Sequence, residues 1–373
     1  MGLNNMKIGI LTLPLRDNYG GILQAFALQK FLSDRGHEVI LINRQFNQKP
    51  FEYFRVLLKK LFFPKKIEKQ QEIEQVREKV DYFIEKYIHP KTEPFKSSSS
   101  LERGISKYNL DAIIVGSDQV WRVDYTKEMT KNYFLDFIKS NKIIRASYAA
   151  SFGKDRWDEN YEFKDAIKSL LQKFNKISVR EDSGIEICKT VFNVDSSQHI
   201  DPTLLLFPTD YANLVKNENE PERNENLLIY MLDIDKDKQL VIDTIAKKID
   251  GSPFSINKPI VDQSASIEQK IYPTVTNWLK GFSDAKYVIT DSFHGTIFSL
   301  LHNKPFVVYG NKSRGLTRFY SILNKVKLEN RVILKNAELK SEIINQEIDW
   351  GFVNEVLNKE RARSDSFFKE LGL

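Results

Sequence analysis

The stretch at residues 287–311, "YVITDSFHGTIFSLLHNKPFVVYGN", reads as a buried strand, a short polar turn, an apolar helix and a second buried strand. Strand, helix and strand in so short a span make a βαβ unit, whose two strands run parallel. A parallel sheet is covered on both faces, which is why "YVIT" and "FVVY" are nearly continuous apolar runs rather than alternating ones. The turn is less ordinary. It carries Asp291, Ser292, His294 and Gly295 where a bland connector would serve. Ligands of open parallel sheets bind at the carboxyl ends of the strands, so this turn stands where a site is expected.

The same grammar extends in both directions. "KIGILTL" (7–13), a helical "ILQAFALQKFLSDRG" closed by Gly36, and "HEVILINR" (37–44) form another βαβ unit. "NLDAIIVGSDQVW" (109–121), "KIIRASYAAS" (142–151) and "KFNKISVRE" (173–181) add three strands that end in polar turns. A second βα series starts at "NLLIYML" (226–232) and ends with "PFVVYG". Two doubly wound α/β domains are therefore expected, joined near 190–225 where the chain is polar and rich in Pro and Asn. The expected layout is a first domain over 1–195 with a helical insertion about 50–90, a second over 196–345, and a last helix over 346–373 able to cross back to the first.

Composition narrows the class. A chain of 373 residues suits two domains, and 41% hydrophobic with 28% charged residues is ordinary for a globular protein. The net charge of +6 favours anionic company, but Lys and Arg alternate with Asp and Glu and no nucleic-acid motif is present, so no nucleic-acid partner is expected. One cysteine, Cys188, precludes an internal disulfide and a zinc cluster. It reads as a buried helix residue. The first residues lack a signal-peptide pattern and no apolar run is long enough to span a bilayer, so the expected location is the cytoplasm. "FEYFRVLLKKLFFPKK" (51–66) is amphipathic. It suits a helix packed on its own domain, or an interfacial helix touching anionic lipid at the inner face of a membrane.

Each strand-end turn has a functional and a structural reading. "PLRDNYGG" (14–21) opens a helix, and Gly20 and Gly21 would let a ligand approach the backbone; it matches neither the dinucleotide fingerprint nor the P-loop. Asp118 in "VGSDQVW" is a helix cap or a general base. Arg180 in "SVRE" is a fork for carboxylate or phosphate, or the partner of Glu181. Asp201, before a proline in "HIDPTLLL", reads as a turn at the domain join. "LDIDKDKQ" (232–239) lacks the Gly and Glu of a calcium loop, so its aspartates are read as helix caps. A cap alone would not require His294, which is placed to protonate or hydrogen-bond an anion. Lys312, Arg314 and Arg318 in "NKSRGLTRF" add positive charge to the same edge.

Taken in order, "DNYGGILQAFALQKFL", "DAIIVGSDQVW", "SVREDSG", "DPTLLL", the 287–311 stretch and "RGLTRF" resemble the polysaccharide pyruvyl transferase family over about residues 7–335. The resemblance implies two Rossmann-like domains in a GT-B-like arrangement, with the site in the cleft between them. It implies transfer of pyruvate from phosphoenolpyruvate to two hydroxyls of a sugar, giving a cyclic ketal. Acceptors of the family include sugars of lipid-linked repeat units for capsules, exopolysaccharides or cell-wall polymers. Carried over by position, His294 contacts phosphoenolpyruvate, Arg180 its carboxylate or phosphate, and Asp118 is the acidic strand-end residue. Asn18, Gly20, Gly21, Ser117, Ser292, Phe293, Gly295 and Arg314 complete the expected substrate contacts.

The chemistry asks for a general acid at the methylene carbon, a base for two alcohols and cations around a trianionic donor. His294, Asp118 and Arg180 match these needs in turn, with Asp291 competing for the role of base. No metal and no cofactor beyond the co-substrate phosphoenolpyruvate is called for. Two alternatives stay open: a GT-B glycosyltransferase using a nucleotide sugar, and a non-catalytic scaffold of polysaccharide assembly.

Overall fold

The structure, a computed structural model, describes residues 5–46, 64–258, 265–311 and 315–373. Strands β1 (Lys7–Leu11), β2 (Glu38–Leu41), β3 (Ala112–Val115) and β4 (Ile144–Ser147) form one parallel sheet in the order β2-β1-β3-β4. The short β5 (Ser178–Val179) and β6 (Ser197–Gln198) pair with each other, and bridges Ala146–Lys176 and Ala150–Val179 attach them to the edge of β4. The second sheet holds β7 (Leu227–Tyr230), β8 (Pro253–Ser255), β9 (Tyr287–Thr290), β10 (Phe306–Tyr309) and β11 (Val332–Ile333). Its order is β11-β10-β9-β7-β8, again all parallel. Strands β3, β7, β9 and β10 are buried at every residue, as sheets covered on both faces require. β6 and β11 are two residues each and gave no apolar run long enough to announce them.

The strand order reverses beside β1 in the first sheet and beside β7 in the second. At such switch points the connections leave in opposite directions and open a crevice. The chain after β1 enters the helix Tyr19–Ser33, capped by Asn18, whose Oδ1 accepts from the Gly21 amide at 3.1 Å. The chain after β9 enters the helix Phe293–Leu301, capped by Ser292. Both crevices therefore present a helix start, and they face each other.

A shared apolar core fixes that facing. Tyr19 stacks on Trp278 with ring centroids 6.0 Å apart, and its hydroxyl donates to the Pro273 carbonyl at 2.8 Å. The last helix, Trp350–Lys369, lies against the first half: Phe368 meets Phe31 at 5.3 Å, the Ser364 and Tyr148 hydroxyls bond at 2.9 Å, and Asp365 pairs with Arg35 at 2.7 Å. Asp235 caps the helix Lys236–Ile249 by accepting from the Lys238 amide at 2.9 Å, which is the role read from "LDIDKDKQ". Cys188 is buried, and burial pushes its thiol up to about 12. The amphipathic segment 51–66, expected to pack on its own domain or to touch lipid, falls outside the described residues, save the backbone of 64–66 at the start of the helix Pro64–Tyr87. Among the described residues no helix is long and apolar enough to cross a membrane.

Candidate functional site

Four strand ends converge on one buried cluster. Arg180 lies just past β5, Asp201 past β6, Asp118 past β3, and His294 in the first turn after β9. Arg180 donates from Nη1 to Asp201 Oδ2 at 2.8 Å, while its Nη2 stands 3.7 Å from Asp118 Oδ1 and its Nε 3.9 Å from Glu181 Oε2. His294, from the second half, brings Nε2 to 3.6 Å from the same Asp201 oxygen. All five side chains are buried. Phe293 lies beneath Arg180, with the guanidinium 4.4 Å from the ring centroid, and the Arg318 guanidinium reaches the same ring at 5.7 Å.

This arrangement corrects the reading of Asp201 as a turn residue. Its Oδ1 does hold the turn, accepting from the Thr203 amide at 3.1 Å and the Thr203 hydroxyl at 2.8 Å. Its Oδ2, however, joins Arg180, His294 and the Ser117 hydroxyl at 3.0 Å. Burial would raise the carboxyl's pKa, but His294 and Arg180 outweigh it and hold the group well below the usual carboxylate range. Burial likewise works to neutralise Arg180, yet Asp201, Asp118 and Glu181 together leave its pKa raised. Arg318 is lowered to about 10, by burial first and then by the neighbouring Arg180.

Other expected contacts sort themselves by what they touch. Asn18 is exposed on the cleft wall and donates from Nδ2 to Asp118 Oδ2 at 3.2 Å. Asp118, at φ 72, does not cap the helix that follows, Val123–Thr126, whose N-cap is Arg122. Ser117 is fully buried, and its hydroxyl donates to Asp201 Oδ2 at 3.0 Å. A Cβ on Gly295 would lie 2.1 Å from Thr290 Oγ1, so this glycine lets the helix pack tightly on the strand. Asp291, the competing base, is withdrawn: Oδ1 accepts from the Leu232 amide at 2.8 Å and Oδ2 from Lys238 Nζ at 2.7 Å. Ser292 accepts from the Gly295 amide at 3.4 Å and remains partly exposed. Gly21 lies beside Asn18 and Asp118. Lys312 and Arg314 lie outside the described residues.

Gly20 has an unforeseen neighbour. A Cβ on it would stand 2.1 Å from both Cγ and Nδ1 of His294, so the glycine admits the imidazole from the opposite half. Gly20→Ala is expected to force the ring off Asp201 and cost about 1–3 kcal/mol through overpacking, partly offset by the better helix propensity of alanine. A lowered denaturation midpoint would show it. An unchanged midpoint would mean that the ring can swing clear.

The cluster is only partly satisfied. Nε and Nη2 of Arg180, Nε2 of His294 and Oε2 of Glu181 are buried without a hydrogen-bond partner among the described residues. Unpaired buried donors are costly, and a site that retains them is suited to an incoming acceptor of negative charge. Arg180, His294 and Asp118 were legible as strand-end residues; Asp201 and Glu181 were not read as members. Their shared signal was the same one, an acid just past a buried strand.

Comparison with known proteins agrees on family and fold. The model of one protein family, polysaccharide pyruvyl transferase, matches residues 18–313. No curated protein matches the sequence. Among solved structures, the UDP-N-acetylglucosamine 2-epimerase of Rickettsia bellii superposes with a TM-score of 0.51 at 10% identity, covering 96% of this chain and 96% of that one. MnaA of S. aureus, solved with UDP, gives 0.51 at 11% identity over 96% and 97% of the two chains. The UDP-GlcNAc 2-epimerase of Neisseria meningitidis, bound to UDP-GlcNAc, gives 0.50 at 11% over 98% and 94%. At such identities the likeness is one of fold: two Rossmann-like halves in a GT-B-like arrangement, as the sequence led one to expect.

Proposed function

The chain belongs to the polysaccharide pyruvyl transferase family, and we propose that it moves pyruvate from phosphoenolpyruvate onto two hydroxyls of one sugar, in assembly of a capsule, exopolysaccharide or cell-wall polymer. The observation that carries this reading is the buried Arg180–Asp201–His294 cluster, whose donors without a hydrogen-bond partner among the described residues line the meeting of the two halves. In this proposal Arg180, with Arg318 beside it, receives the donor's carboxylate or phosphate. Two guanidiniums against one ring repel each other, and an anion between them relieves that repulsion.

The reaction then divides among the residues. His294 gives a proton to the methylene carbon of phosphoenolpyruvate, and C2 takes on oxocarbenium character. One sugar hydroxyl adds to C2 as Asp118 draws off its proton. The C2–O bond to phosphate breaks, and the second hydroxyl closes the ring with loss of its proton. One of the two hydroxyl protons balances the new methyl group and the other leaves with hydrogen phosphate. Asp201 positions His294 and Arg180 and does not touch the reacting atoms. Phosphoenolpyruvate is the co-substrate, and the proposal uses no separate cofactor and no metal. The acceptor is a sugar unit, in the lipid-linked form where the polymer is built at the inner face of the membrane.

The test is incubation of the chain with phosphoenolpyruvate and a panel of nitrophenyl and lipid-linked glycosides. The expected result is phosphate release with a mass gain of pyruvate less water on one acceptor, both absent with Arg180→Met. A specific feature keeps the nucleotide-sugar reading in view: a cavity of about 580 Å³ in the second half, at the carboxyl ends of β7 and β10. Its lining mixes Lys238 and Lys335 with Asp233, Asp235 and Glu338, an unfavourable balance for a diphosphate. Thermal stabilisation by UDP or GDP sugars, with none by phosphoenolpyruvate, would exchange the two readings.

A further inference from the structure

Glu181 is buried beside Arg180 and takes no part in the proposed chemistry. It stands at the N-cap position of the helix Asp182–Ile187 but does not cap it. Its Oε1 instead accepts three hydrogen bonds from the loop beyond β4: the Ser151 hydroxyl at 2.8 Å, the Phe152 amide at 2.9 Å and the Gly153 amide at 3.2 Å. Three donors aimed at one buried oxygen call for the acceptor strength of a carboxylate. Its Oε2 makes no hydrogen bond among the described residues and faces Arg180 Nε from 3.9 Å. The loop, more than the guanidinium, is what Glu181 grips.

That loop meets the second half. Gly153, at φ 65, lies against Gly315, at φ 79; a Cβ on Gly315 would stand 3.0 Å from the Gly153 carbonyl oxygen and 3.5 Å from Arg318 Nε. Left-handed backbone on both sides of the contact makes each a glycine position. Nearby, the Thr317 hydroxyl donates to Asp155, and the Asp182 amide donates to the Ser321 hydroxyl at 3.1 Å. Residues 153, 155 and 182 of the first half thus hold residues 315, 317 and 321 of the second, and Arg318 lies within that segment. The contacts run without a gap from Glu181 through Gly153 and Gly315 to the Arg318 guanidinium, which shares the Phe293 ring with Arg180.

We propose that Glu181 is a positioning residue: by holding the 151–155 loop it docks residues 315–321 of the second half, and so sets the Arg318 guanidinium against that of Arg180. The proposal rests on the pyruvyl-transfer reading only for what the two guanidiniums receive, the donor's carboxylate or phosphate. Two like charges over one ring repel, so the frame around them must impose their separation. An anion between them is held well only at the right spacing. Glu181 supplies that frame from behind, without touching the anion.

The experiment is hydrogen exchange of the full chain without ligand, read by mass spectrometry, with two substitutions that separate reach from charge. Glu181→Asp keeps the charge opposite Arg180 but is a methylene too short for the loop. It is expected to speed exchange across 151–155 and across 315–323 about tenfold, the effect of losing a charge-assisted hydrogen bond from a buried site. Glu181→Gln keeps an acceptor oxygen at full reach and should leave both segments as protected as in the unaltered chain. Asp155→Ala, an exposed change, should speed 315–323 alone and add nothing further in the Glu181→Asp background, because the dock is already open there. Phosphoenolpyruvate affinity on the same samples should fall about tenfold in Glu181→Asp and hold in Glu181→Gln, with the KM of the sugar acceptor unmoved. Unchanged protection of 315–323 in Glu181→Asp, or Glu181→Gln impaired as much as Glu181→Asp, would overturn the proposal. Phosphoenolpyruvate that binds no sample removes the donor reading, while the exchange result still decides the role of Glu181.

Discussion

Asp201→Ala should lower the stability of the chain by about 3–5 kcal/mol, the usual cost of removing one partner from a buried ion pair. The carboxylate is fully buried, receives Arg180 at 2.8 Å, and also orders the Thr203 turn and the Ser117 hydroxyl. Its loss leaves a guanidinium in the interior facing more distant acids. The same group predicts a pH dependence. Its folded-state pKa is depressed by His294 and Arg180 against the opposing effect of burial. A depressed carboxylate contributes stability that is complete above the unfolded pKa of about 3.9 and is lost as pH falls through the folded value. The unaltered chain should thus lose this stability progressively below about pH 4, while Asp201→Asn should lack that part of the acid dependence. Denaturant midpoints at neutral and acid pH would measure both. A neutral-pH midpoint for Asp201→Ala close to that of the unaltered chain would show that the pair contributes nothing net.

That Asp201 was passed over shows where sequence reading ends. The strands were legible because a sheet buried on both faces writes its requirement as unbroken apolar runs, and the strand-end turns followed from them. Arg180, Asp118 and His294 were legible as chemistry-bearing residues in such turns. Asp-Pro after a two-residue strand has a complete local explanation as a turn, and that explanation is even correct for Oδ1. Only the tertiary fold shows that Oδ2 is in the cluster. The glycines are ambiguous for a related reason. A missing Cβ at Gly20 or Gly295 is equally useful to a ligand, to an imidazole from the other half, or to a threonine in the preceding strand. Nothing local distinguishes the three. Asp291 likewise looked free to act as a base until Lys238, far away in sequence, was seen to hold it.

His294→Gln should leave the fold nearly intact and reduce turnover by about 10²–10⁴-fold, the range for loss of a positioned general acid or base. The stability argument is that Arg180 retains its own 2.8 Å bond to the Asp201 carboxylate, so losing the His294 contribution from 3.6 Å costs less than removing the carboxylate itself. The catalytic argument is geometric. His294 is the titratable side chain that the second half carries to within reach of Asp201, and Gly20 gives its ring room on the other side. An amide of similar reach can replace its hydrogen bonds but cannot deliver a proton to carbon. The division between kcat and KM decides the role. A fall confined to kcat, with phosphoenolpyruvate still raising the melting temperature as in the unaltered chain, identifies the proton donor. A matching rise in KM would make His294 an anion contact instead, and assign the proton to solvent or substrate. Turnover unchanged in His294→Gln would remove the residue from the reaction altogether, and with it the reason for bringing the two halves together at this point.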